Sequence, residues 1–88
     1  MTPTLNLYLL TQDDEEGYDT WDSCVVAAED EHKARLIHPR EAWSKNSGWG
    51  SGDLSGWAHK PENVKVLFIG IAASDIEAGV VLASFNAG

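Results

Sequence analysis

The sequence is poor in the residues that usually narrow a protein's chemistry. Cys24 is the single cysteine in 88 residues, which excludes an intrachain disulfide and places the chain by expectation in a reducing compartment. That cysteine and the three histidines, His32, His38 and His59, lack metal-ligand spacing, so no metal is expected. No stretch approaches the roughly twenty apolar residues that cross a bilayer. The N-terminus has neither the basic segment nor the apolar run of a signal peptide. Gly48, Gly50 and Gly52 are not followed by Gly-Lys-Ser/Thr, and no strand leads into them, so they form no phosphate loop. No Ser-His-Asp order and no carboxylate pair stands out. The expectation is a cytoplasmic, non-enzymatic protein without cofactor or membrane segment.

Basic residues are also scarce, and late. Nine acids, from Asp13 to Glu31, precede the first basic residue, Lys33; from there on six basic residues face five acids, and the net charge is −8. One end of the fold is therefore expected to be strongly negative. Direct binding to nucleic acid or an anionic membrane gains nothing from such a surface, whereas a basic protein surface does. The acids of 13–22 either serve such a partner or solvate a loop.

What is present is enough for one small α+β domain spanning 1–88. Hydrophobic residues make up 43% of the chain, with four Trp, a composition that excludes disorder. Residues 5–12 alternate Leu5, Leu7 and Leu9 with Asn6, Tyr8 and Leu10, a strand. A second strand over 21–28 has apolar residues on both faces and is expected to be central and paired to the first. Asp30 is a good N-cap for a helix that Pro39 stops near His38. Residues 46–56, rich in Gly and Ser, predict no regular structure. Two more strands follow over 64–71 and 80–85. The order β-β-α-β-β predicts a four-stranded, mostly antiparallel sheet with one helix packed on a face.

Three groups of residues could carry function. Tyr18, Asp19, Thr20 and Trp21 put aromatic faces beside carboxylates and hydroxyls, as a site for a planar ligand needs; equally, the aromatics could cover the edge of the core while the acids hold turn backbone. Trp43, Trp49 and Trp57 flank the glycine-rich stretch, where so much aromatic area requires something to pack on: the sheet, another subunit, or a ligand base. Arg35, His38 and Arg40, with Lys45, form the basic cluster at which a phosphate or carboxylate would bind. Cys24 lies within an apolar strand and reads as inert.

Taken as a set, Leu-Leu-Thr-Gln at 9–12, Gly-Tyr-Asp-Thr-Trp-Asp-Ser at 17–23, Val-Val-Ala-Ala at 25–28, Ala-Arg at 34–35, Ile-His-Pro at 37–39 and Ala-Ser-Phe-Asn-Ala-Gly at 83–88 resemble a family of small bacteriophage and prophage proteins. The resemblance covers nearly the whole chain apart from the middle loop. It implies a phage origin and no particular reaction. Small phage proteins of this type often inhibit host machinery, including defence systems.

Two functions follow as expectations. In the first, an oligomer sequesters a nucleotide-like host signal, with Tyr18, Trp21, Trp43, Trp49 and Trp57 stacking on bases and Arg35, His38 and Arg40 taking phosphate. In the second, the acidic face blocks a basic host protein, either directly or as a DNA mimic. Because one short helix covers only one face of a four-stranded sheet, a homo-oligomer is expected, a dimer by the prevalence of two-fold symmetry, with Trp43, Trp49 or Trp57 at the contact.

Overall fold

The computed structural model describes residues 4–42 and 56–86. Trp43, Lys45, Trp49 and the glycine-serine run lie outside the described residues, and so do the roles expected of them. The strands are β1 (Asn6–Thr11), β2 (Thr20–Ala28), β3 (Lys65–Ile71) and β4 (Gly79–Asn86). Helix α1 spans Glu31–Arg35, and 3-10 turns occupy Pro39–Ala42 and Pro61–Asn63. The sheet order is β3-β1-β2-β4 with each neighbouring pair antiparallel. This is the expected α+β fold: an antiparallel four-stranded sheet, its two central strands the first hairpin.

The helix is shorter than the sequence suggests. Asp30 caps it as expected, its Oδ1 accepting from the Lys33 N–H at 2.8 Å. It ends at Arg35, not near His38, with Leu36 as its C-cap. Two local preferences explain the early stop. The residue before Pro39 is biased away from helical geometry, and the His38 N–H is taken by the Glu41 carboxylate at 2.7 Å. In return the Arg40 N–H donates to His38 Nδ1 at 3.0 Å. The two bonds make a variant of the capping box, the histidine ring accepting from the second residue of the turn and the third returning its carboxylate; it starts the Pro39–Ala42 turn and needs the chain at His38 for itself.

Antiparallel pairing puts residues from all four strands in rows. On the face covered by α1 one row is Val66, Leu10, Cys24 and Ala83, and the next is Phe68, Tyr8, Val26 and Val80. Leu10, Cys24 and Val26 are buried there with Ala34 from the helix and Trp57, Ala58 and Val64 from the following segment. The register slips at Asp22, an extra residue in β2. This bulge turns Trp21 from the face that plain alternation would give it onto the core face, opposite Phe85.

The other face carries Leu67, Leu9, Val25 and Leu82 in one row across the sheet. Leu67 and Leu82 are 59% and 68% exposed. Toward one strand end the next row is Gly70, Leu7, Ala27 and Gly79; toward the other it is Lys65, Thr11, Ser23 and Ser84. Among the described residues the helix and the Trp57–Val64 segment pack on the opposite face; here Leu67 and Leu82 stay exposed while Ala27 is fully buried. Among the described residues no helix is long and apolar enough to cross a membrane.

Candidate functional site

The expected ligand residues divide into two environments. Trp21, His38 and Trp57 are fully enclosed. Trp21 packs on Phe85 with ring centroids 4.8 Å apart, and its ring meets His38 edge-on at 5.8 Å. His38 in turn lies edge-on to Trp57 at 6.4 Å. The Arg40 guanidinium carbon sits 5.1 Å from the centre of the Trp21 ring, a cation-π contact over the core aromatic. Burial on this scale leaves no ring face of Trp21 or Trp57 for a ligand base or for a neighbouring subunit. The structure thus revises two expectations: these two tryptophans are core, and Trp57 is not available at a subunit contact. Thr20 is buried as well, its hydroxyl donating to the Gly17 carbonyl at 2.7 Å.

The basic cluster is likewise dispersed. His38 spends Nδ1 on its own turn, Arg40 lies over Trp21, and Arg35 reaches the Glu62 carbonyl at 3.5 Å. Three groups so engaged do not converge on one phosphate. The capping role of His38 was legible in His-Pro-Arg-Glu at 38–41, had histidine been admitted as a cap acceptor.

The loop between β1 and β2 forms the second environment, and it is tied down along its length. The buried Gln12 amide holds Glu15 twice, donating to its carbonyl at 2.7 Å and accepting from its N–H at 2.8 Å. Asp14 Oδ2 accepts from the His59 N–H and from the Asn63 amide, both at 2.8 Å. Asp13 pairs with Lys65. Asn86 donates to the Gly17 carbonyl at 2.9 Å. What remains outward is Glu16, Tyr18, Asp19 and Asp22, all exposed, with Tyr18 75% accessible. Asp19 holds φ at 62°, a left-handed position that Asp tolerates better than most residues. The result is a fixed loop with one aromatic ring standing among carboxylates.

The His59 N–H, and after it the Asn63 amide, hold the Asp14 carboxyl below its ordinary value of 3.8. Because the folded value is depressed, the stabilisation exists above the unfolded value and disappears as pH falls from there through the folded value. Urea midpoints of the parent and of Asp14→Ala are expected to differ at neutral pH and to converge as the pH is lowered below about 4. A gap unchanged down to pH 2.5 would show that the charge of Asp14 is not what anchors the loop.

Groups for catalysis are not brought together among the described residues. Burial and the Glu41 carboxylate push the Cys24 thiol up to about 12, far from a usable thiolate. Among the described residues no three His, Cys, Asp or Glu side chains are placed to hold a metal ion. The β3–β4 connection borders a shallow cavity of about 430 Å³ lined by Leu5, Glu29, Asp75, Ile76 and Glu77, among others. Its carboxylates repel an anionic ligand. Comparison with protein-family models, with curated proteins and with solved structures finds nothing that matches this chain.

Proposed function

We propose that this chain is a non-enzymatic binding protein whose recognition element is the loop of residues 13–22, and whose partner is a basic protein surface. The resemblance to small phage proteins gives that partner a context, a host protein that the chain inhibits. The observation that carries the reading is the division of labour in the loop. Gln12, Asp13 and Asp14 fix its backbone, while Glu16, Tyr18, Asp19 and Asp22 face solvent. A loop ordered before binding loses little entropy on docking. An exposed tyrosine among charges is the usual anchor of a protein contact, and the surrounding carboxylates steer a basic partner toward it.

The nucleotide-sequestering reading is less well supported, because Trp21 and Trp57 are enclosed and Arg35, His38 and Arg40 have separate partners. Calorimetry against cyclic and linear nucleotides is expected to give no binding at tens of micromolar.

The direct test is affinity capture from host lysate with the parent and with a Glu15→Lys, Glu16→Lys, Tyr18→Ala variant. These positions spare the anchoring side chains of Gln12, Asp13 and Asp14, so the circular dichroism of the variant is expected to match the parent. A basic protein should be retained by the parent, in decreasing amount as salt rises, and at least about tenfold less by the variant. Identical captured sets would sink the proposal.

A further inference from the structure

We infer that the face of the sheet opposite α1 is a self-interface, on which two copies of this chain pack face to face about a two-fold axis running along the rows of cross-strand neighbours. The argument begins with the relief of the face. Leu67, Leu9, Val25 and Leu82 form a continuous aliphatic ridge from edge to edge. The adjacent row has glycine at both ends, Gly70 and Gly79, with fully buried Ala27 between. A Cβ added to either glycine would meet nothing within 4 Å, so both ends of that row are open steps. Turning a second copy about an axis between the two rows brings its ridge over the steps of the first. Leu67 of each copy then stands over the partner's Gly70, and Leu82 over the partner's Gly79. A surface that fits itself under a two-fold rotation is what an isologous contact requires.

Charge, size and edges favour the same occupant. The chain carries a net charge of −8, yet no carboxylate occurs in the three rows of this face, and Lys65, their one charged residue, is already paired with Asp13. Two copies can therefore meet here without bringing like charges together, while a charged foreign protein finds little to pair with. Strand spacing and rise give four strands and six residues a footprint of about 400 Å². Side chains standing out of that plane bring the accessible area toward the roughly 600 Å² per partner at the lower end of specific interfaces. Both edge strands carry an extra residue, Ile69 in β3 and Val81 in β4; such bulges blunt edge-to-edge pairing and leave the face as the route to association.

Light scattering of the purified chain over a dilution series tests the proposal. The expected mass at high concentration is twice the 9.6 kDa of the chain. Leu67→Glu with Leu82→Glu puts carboxylates on side chains already exposed in one copy, and should raise the dimer dissociation constant at least about 100-fold with unchanged circular dichroism. A second variant, Gly70→Val, serves if the double variant does not fold. Its side chain has open space within one copy, suits a strand, and should weaken the dimer at least about tenfold. A parent that stays at the chain mass up to the highest concentration overturns the inference, whether its own chain or a foreign protein covers the face. So does a folded variant that associates as tightly as the parent, because association then uses another surface.

Discussion

Trp21→Ala is expected to cost about 3–5 kcal/mol, the usual loss for a buried aromatic replaced by a methyl group. For a domain of this length total stability is about 4–13 kcal/mol, so the variant should sit close to unfolding. Its midpoint should fall by roughly 15–30 °C. The physical reason is that Trp21 joins several elements on the covered side near its end of the sheet. It contacts Phe85 from β4, His38 ahead of the Pro39–Ala42 turn, Arg40 above its ring, and the backbone position of Gly56. Removing it strands the buried His38 ring and takes away the surface on which Arg40 lies. Had Trp21 served mainly to stack on a ligand, alanine there would abolish binding and leave the fold near parental stability. Urea unfolding followed by far-ultraviolet circular dichroism separates the two: a loss under about 1 kcal/mol would return Trp21 to the ligand residues.

The placement of Trp21 also marks where the sequence stops being legible. The sheet itself was readable, because Leu5, Leu7 and Leu9 alternate against Tyr8 and Leu10, and because both faces of 24–28 are apolar. Every strand end falls within one residue of its expected place. Alternation counts residues, however, and a bulge adds one without changing composition. Asp22 is that extra residue, and it moves Trp21 to the core face. The capping box at His38 was hidden for a related reason: its acceptor is a histidine ring, where Ser, Thr, Asp or Asn is the customary signal. Both features drew the aromatic and basic residues into a supposed ligand site. The acidic loop was visible as charge, but its anchoring by Gln12, and by His59 and Asn63 far along the chain, depends on contacts that local pattern does not encode. The face opposite α1 was legible in the first strand alone, as Leu5, Leu7 and Leu9. Its continuation through Leu67 and Leu82 needed the register.

Gly56→Ala is the second substitution with a large expected effect, about 2–4 kcal/mol, and Gly17→Ala is its control. Both glycines hold positive φ, +87° and +92°, where a side chain costs about 1 kcal/mol from backbone strain alone. They differ in what a Cβ would meet. At Gly17 nothing lies within 4 Å, whereas at Gly56 the Asp19 carbonyl oxygen would be 2.8 Å away and two Trp21 ring carbons 3.1 and 3.2 Å away. The carbonyl belongs to backbone whose N–H donates to Asn86, and Gly56 itself accepts from the Trp21 N–H at 2.8 Å. Neither strand of this crossing can retreat without breaking a hydrogen bond, so overpacking adds to the strain. Unfolding free energies of the two single variants from denaturant titration should therefore differ by about 1–3 kcal/mol. Making Gly56→Ala in the Trp21→Ala background refines the test. With the ring gone, the penalty should shrink but persist, because the Asp19 oxygen remains; the two changes are then non-additive, as neighbours sharing one contact are. Equal costs at Gly17 and Gly56 would mean that positive φ is the whole effect, and that the close crossing at Gly56 does not help fix the base of the acidic loop.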